Sequence, residues 1–221
     1  MSLSLPRASL VLALTLALAG CAGRCGARGG LPPPRLPVLT GADGQKYLLL
    51  DKGPYQAFYD RWGRLQRLEY DSNGDGRPDQ TALHDGQKVP REIQVDQDFD
   101  GRTDRWERYS ASGSLVQVGT SHGGERPDEW RSATKDGAVS RIEYDEDGDG
   151  RIERAERLSE GRIVAAEIDS DRDGRMDRWQ TVAQGRLLLE DLDTDADGAP
   201  DRRIRYEATG KVAGLEALKP R

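Results

Sequence analysis

Five short acidic stretches recur along the chain at a nearly fixed spacing, and that spacing limits the fold more than any other feature. They are DSNGDGRPD (71–79), DQDFDGRTD (96–104), DEDGDGRIE (145–153), DSDRDGRMD (169–177) and DTDADGAPD (193–201). A degenerate sixth, TSHGGERPD (120–128), stands in the gap after the second. Counted on first residues, the ladder runs Asp71, Asp96, Thr120, Asp145, Asp169, Asp193, in steps of 25, 24, 25, 24 and 24 residues. Self-similarity on this scale marks an array of small units, each packed on its neighbours.

The segments between the acidic stretches read as strands. Leu68 and Tyr70, Ile93 and Val95, and Ile142 and Tyr144 alternate with polar residues at period two, as half-buried strands do. After each acidic stretch comes a second short segment, with Trp106, Trp130 and Trp179 at its eleventh position from the ladder residue. A glycine then recurs (Gly86, Gly113, Gly137, Gly161, Gly185, Gly210), usually with an aliphatic two residues on, the mark of a hairpin turn. RIERAERLSE (151–160) would also suit a helix, but Trp106–Tyr109 before SASG is a single turn, too short to stand alone. The expected fold is mainly β: tandem hairpins of about 24 residues forming an antiparallel meander of about twelve strands, twisted or partly closed. One face should carry the Trp, Tyr, Ile and Val side chains. Residues 42–66 are expected to add N-terminal cap strands, and 67–221 to hold six units with the third degenerate.

Within each acidic stretch, oxygen side chains stand at positions 1, 3, 5 and 9, with glycine at 6. These are Asp71, Asn73, Asp75 and Asp79; Asp96, Asp98, Asp100 and Asp104; Asp145, Asp147, Asp149 and Glu153; Asp169, Asp171, Asp173 and Asp177; and Asp193, Asp195, Asp197 and Asp201. Asp-Gly and Asn-Gly are ordinary turn formers, and a solvated turn is one reading. A turn, however, needs one such residue. Carboxylates about 5 Å apart repel by roughly 1 to 3 kcal/mol per pair, which points to a hard divalent counter-ion held by oxygen. The third stretch has lost these acids and is expected to be a metal-free spacer.

The stretches resemble the calcium loops of EF-hands, dockerins and thrombospondin type-3 repeats. The resemblance implies calcium, up to about five ions, with position-7 carbonyls from Arg77, Arg102, Arg151, Arg175 and Ala199. It also implies a closing ligand at position 12, where Glu107 and Glu156 stand; Gln180 takes that place in the fifth stretch, and Ala82 and Ile204 have no side chain to ligate with. YDRWGRLQRLEYD (59–71) is similar to the YD repeats of bacterial surface and toxin proteins.

The N-terminus reads as an address. Arg7 precedes the apolar run ASLVLALTLALAG, which ends in LAGC, Leu18 to Cys21. This resembles the lipobox of bacterial lipoproteins, implying cleavage after residue 20 and a lipid anchor at Cys21. With Ala22 rather than Asp next, it further implies outer-membrane placement. Residues 21–41 are rich in Gly, Pro and Arg and are expected to be a tether, with Cys25 a spare thiol, a second acylation site or an intermolecular link.

Composition bounds the rest. Only 35% of residues are hydrophobic and 33% are charged, so the core should be thin and ion binding should supply part of the folding free energy. A net charge of −6 disfavours nucleic acid. The two histidines, His84 and His122, sit in turn-like stretches without a nucleophile pattern, and there is no phosphate loop or zinc spacing. The expected function is therefore non-enzymatic: a membrane-anchored calcium-binding module with a protein or envelope partner. A calcium-responsive sensor or buffer is the alternative, and a glycan-active enzyme using paired acids is less favoured.

Overall fold

The computed structural model describes residues 36–41 and 43–218. The expected signal peptide, Cys21, Cys25 and most of the tether lie outside the described residues. The rest is one antiparallel sheet of sixteen strands, paired in chain order. They are β1 (Val38–Thr40), β2 (Lys46–Lys52), β3 (Tyr55–Tyr59), β4 (Leu65–Tyr70), β5 (Gln80–Leu83), β6 (Glu92–Val95), β7 (Arg105–Tyr109) and β8 (Leu115–Thr120). The second half continues with β9 (Glu129–Ala133), β10 (Val139–Tyr144), β11 (Arg154–Ser159), β12 (Arg162–Ile168), β13 (Arg178–Ala183), β14 (Arg186–Leu192), β15 (Arg202–Tyr206) and β16 (Val212–Ala217). The meander is open, with β1 and β16 at its edges. The sheet begins inside the stretch read as tether, because β1 pairs with β2 from Val38↔Leu48 to Thr40↔Lys46.

Tight turns hold one edge of the sheet. At Ser110–Ser114 the Ser110 N–H donates to the Ser114 carbonyl at 2.8 Å, and the Gly113 N–H to the Ser110 carbonyl at 2.9 Å. Gly113 has φ 83°, and the β7–β8 register slips beside Tyr109. That is a three-residue hairpin closing on a glycine bulge. The same pattern recurs at Asp60–Arg64, Thr134–Ala138 and Glu207–Lys211. Glu160-Gly161 and Gln184-Gly185 instead make two-residue turns with both φ values positive, which matches the twist of the flanking strands.

Register sorts the side chains into two faces. Ala57, Leu68, Ala82, Ile93, Glu107, Val118, Arg131, Ile142, Glu156 and Ala166 are successive cross-strand partners in one transverse row. Most of this row is buried, with Ile93 at 2% and Val118 at 3% exposure. Tyr70 and Tyr144 follow two residues after Leu68 and Ile142 and so share that face. The tryptophans do not. Trp106, Gly119, Trp130, Glu143 and Ala155 form the adjacent row, one residue along each strand and therefore on the opposite face. The expectation of a single aromatic and aliphatic face is thus corrected. Trp130 lies across Gly119, where a Cβ would come within 2.9 Å of its ring, and the Arg108 guanidinium stacks 3.9 Å from its centroid.

The core is as thin as the composition requires. One buried cluster is Ala82, Ile93 and Val95, with Leu68 and Tyr109 against it; another is Val139, Ile142 and Leu158, with Tyr144. Charge fills the remainder of the buried row. Glu107 is wholly buried and takes bonds from Arg105 Nη2 at 2.8 Å and the Tyr109 hydroxyl at 2.5 Å. Burial, followed by the bond to Glu107, holds the Tyr109 hydroxyl far above the usual phenol range.

Candidate metal centres along one edge of the sheet

Connections in an antiparallel meander alternate between its two ends, so the six long connections that follow β4, β6, β8, β10, β12 and β14 all emerge opposite the turns just described. Neighbouring loops are two strands apart, about 9.5 Å. Their backbones are also joined. The first residue of each loop donates its N–H to the carbonyl of the last residue of the loop before: Asp96 to Asp79 at 2.8 Å, Asp145 to Asp128 at 2.9 Å, Asp169 to Glu153 at 2.8 Å and Asp193 to Asp177 at 2.9 Å.

Each acidic loop is wound around its own carboxylates. In the fourth, Asp145 Oδ1 accepts the Gly148 N–H at 2.8 Å and Oδ2 the Gly150 N–H at 2.9 Å. Asp147 accepts from the Asp149 N–H at 3.2 Å, Asp149 from the Arg151 N–H at 2.7 Å, and Glu153 from the Glu146 N–H at 2.6 Å. The position-7 N–H bonds to position 5 likewise at Arg77, Arg102, Arg175 and Ala199. Gly150 at position 6 has φ 94°, a region closed to most side chains. Position 4 also has positive φ, on Gly74 and Gly148 in two loops but on Phe99, Arg172 and Ala196 in the others.

The winding gathers acids. Among the described residues, one carboxylate oxygen from each of Asp145, Asp147, Asp149 and Glu153 lies within 4.8 Å of the others; the same holds for Asp96, Asp98 and Asp104, for Asp169, Asp171 and Asp177, and for Asp193, Asp195 and Asp197. Four loops could therefore hold a metal ion. Asp100, Asp173 and Asp201 stay outside their loops' groups, and Asp71, Asp75 and Asp79 form none around Asn73. Glu107 and Glu156 do not join either. They face the buried row and bond to Arg105 and Arg154. Gln180 likewise donates to Glu190 at 2.9 Å.

One atom tests the fit to a cation. Asp169 is 3% exposed; its Oδ2 accepts the Gly174 N–H at 2.8 Å, yet its Oδ1 has no hydrogen-bond partner. Asp193 Oδ1 in the sixth loop is orphaned in the same way. A buried carboxylate oxygen without a donor is costly, and an ion held with Asp171 and Asp177 would satisfy it. The sixth loop's carboxylates shift in opposite directions: on Asp193 desolvation is outweighed by bonds from backbone N–H groups, Gly198 first, and the pKa is lowered. Asp195 is raised by desolvation and by the charges of Asp197 and Asp201, its contact with Asp193 adding to this.

The third loop is shorter than the sequence alignment implies. Thr120 pairs with Glu129, as Tyr70 pairs with Gln80, so Ser121 and not Thr120 holds the first-acid place and the loop has lost one residue. Ser121 Oγ accepts the Gly124 N–H at 2.9 Å, standing in for the missing carboxylate. His122 Nδ1 sits 2.7 Å from Asp128 Oδ1. The bond to Asp128 and then its charge raise the His122 pKa. The sequence reading placed His122 in a turn-like stretch and missed this pair.

Position-7 arginines carry a second role that the sequence reading left out. Arg77 Nη1 lies over Gly101 and Arg126 Nη1 over Gly150, 2.6 and 3.0 Å from where a Cβ would stand. Gly101, Gly150 and Gly174 thus leave room for the preceding loop's guanidinium, while among the described residues nothing lies near Gly198. Elsewhere, a groove of about 780 Å³ opens over the buried face between β10 and β13, lined by Ile142, Leu158, Ala166 and Val182 with Arg154 and Glu156.

No known family profile matches the chain, and no curated protein does. Among solved structures it is similar to the accessory secretory protein 1, 2 and 3 structure of Streptococcus pneumoniae, at 9% identity and TM-score 0.33, over 51% of this chain and 19% of that one. It is also similar to a TarM variant of S. aureus, at 7% identity and TM-score 0.30, over 53% of this chain and 20% of that one. The chain spans about a fifth of each of these.

Proposed function

We propose that this is a non-enzymatic, calcium-binding repeat lipoprotein of the bacterial envelope, anchored through Cys21 and acting as a structural or interaction module. The observation that carries the reading is the orphaned Oδ1 of buried Asp169 within a group of three carboxylates. Calcium is the ion of choice because the donors are all oxygen and too many for Mg²⁺, which keeps its waters and takes one or two carboxylates. The thin apolar clusters make ion binding a substantial part of the folding free energy. Placement at the outer membrane follows from the lipobox and Ala22.

Calorimetric titration with calcium, paired with thermal melts in calcium and in excess chelator, tests the proposal. About four ions should bind, and chelation should lower the melting temperature by more than about 10 °C. A chain that binds no calcium and melts identically in chelator contradicts it. Radiolabelled palmitate incorporation, lost in Cys21→Ser, tests the anchor.

A further inference from the structure

We infer that Arg172, at position 4 of the fifth loop, is an intramolecular counter-ion that competes with a divalent cation for the fourth loop. This rests on reading the loops as cation sites. The fourth loop gathers the largest acidic group among the described residues, and Arg172 is already seated on one of its members. Arg172 Nη1 donates to Asp147 Oδ2 at 3.3 Å, and Nη2 lies 3.9 Å from Glu146 Oε2.

The backbone beneath this arginine is strained. Arg172 has φ 61°, where the first and fourth loops use Gly74 and Gly148. A side chain in the left-handed region costs free energy that glycine avoids. Here the strained residue carries a long cation into the neighbouring loop. Contact in the other direction is of a different kind: Arg151 Nη1 donates to the Asp173 carbonyl at 3.3 Å and lies over Gly174. The two loops therefore clasp each other; Arg172 reaches across to a carboxylate of the neighbouring candidate site, whereas Arg151 Nε lies 3.9 Å from Asp149 of its own loop.

A cation entering the fourth loop must take Asp147 from the guanidinium or share it at close range with another positive charge. Arg172 offsets repulsion within the ion-free group and weakens ion binding. The fourth loop thus fills at a higher calcium concentration than its four carboxylates alone would set. The Arg172 side chain is 55% exposed, so solvent and salt screen the effect.

Calcium titration of the full chain by calorimetry at low ionic strength tests this. Arg172→Gln should tighten one site by about three- to tenfold, while Arg172→Lys, which keeps the charge, should not. Adding Asp149→Asn to disable the fourth loop should abolish the tightening, and about 0.5 M salt should shrink it. Arg172→Gly, which also relieves the backbone, should tighten the same site. An unchanged or weaker isotherm in both Arg172→Gln and Arg172→Gly overturns this inference and leaves the loops as cation sites. Absence of calcium binding in the unsubstituted chain overturns both.

Discussion

The third and fourth loops share one scaffold and solve its electrostatics in opposite ways. Both are entered from a strand whose last pair is at the same place, Thr120↔Glu129 and Tyr144↔Arg154. In both, the final acid accepts the N–H of the loop's second residue, Asp128 from His122 at 2.8 Å and Glu153 from Glu146 at 2.6 Å. The fourth loop then packs four carboxylates together. The third has one residue fewer, uses the Ser121 hydroxyl as its hub and sets His122 against Asp128. The hairpin can therefore be closed without an acidic cage. Each acid of the fourth loop accepts a backbone N–H, but gathering all four into one group is more than the third loop needs to close, and that excess is what the proposed ion would answer.

Removing the hub should expose that difference most strongly. Asp145 is 3% exposed and takes two backbone N–H groups; Asp145→Ala strands both donors, at about 1 to 3 kcal/mol each. We expect a total loss of about 3 kcal/mol and one calcium ion. Ser121→Ala should cost about 1 kcal/mol and no ion. Urea denaturation with and without calcium reads both, and equal costs would break the contrast.

Grafting DEDGDGRIE in place of residues 121–128 restores the missing residue along with the acids. Its effect should be one additional calcium ion in calorimetry, with stability in chelator lowered by roughly 1 to 2 kcal/mol from carboxylate repulsion. An unchanged stoichiometry would mean that the loop's frame, and not its acids, denies the third unit an ion.

These two loops also show what was legible in the sequence. Strands and hairpins were, because period-two alternation and glycine turns are local properties that Ile93–Val95 or Gly113 display without help from the fold. The face of each residue was harder. Trp106 and Glu107 are neighbours in a strand, so they must point opposite ways although both are buried, and the recurrence of tryptophan did not tell which face it shares with the aliphatics. Position 12 failed for a related reason. In an EF-hand the chain after position 9 turns back toward the ion; here it is extended, and three residues at about 3.3 Å each carry Glu107 and Glu156 away from the loop. The deletion in the third loop was hidden because its RPD ending aligns with that of the first, whereas the lost residue lies before it. Cross-loop contacts such as Arg172 to Asp147 depend on which loops become neighbours, which only the sheet order supplies.

Position 4 gives a smaller contrast. The fourth loop meets its positive φ with Gly148, the sixth with Ala196 at φ 62°. Gly148→Ala should cost about 1 kcal/mol, and Ala196→Gly should gain about 0.5 kcal/mol after the greater freedom of glycine in the unfolded chain is counted. Urea midpoints at equal slope report both, and a loss in Ala196→Gly would show that the alanine is not strained.

The smallest effect should come from His122, and it alone should follow pH. Its pKa is raised in the folded chain by the hydrogen bond to Asp128 and by that carboxylate's charge. A group whose folded pKa exceeds its unfolded one stabilises fully below the unfolded value, about 6.5 for histidine, and loses that contribution as pH rises through the folded value. The side chain is 73% exposed, so solvent screening keeps the contribution small. His122→Ala should thus lower the melting temperature slightly at about pH 5.5 and leave it unchanged at about pH 9. A difference that is flat across this range, or that grows with pH, would mean the imidazolium does not do for the third loop what the proposed cation would do for the fourth.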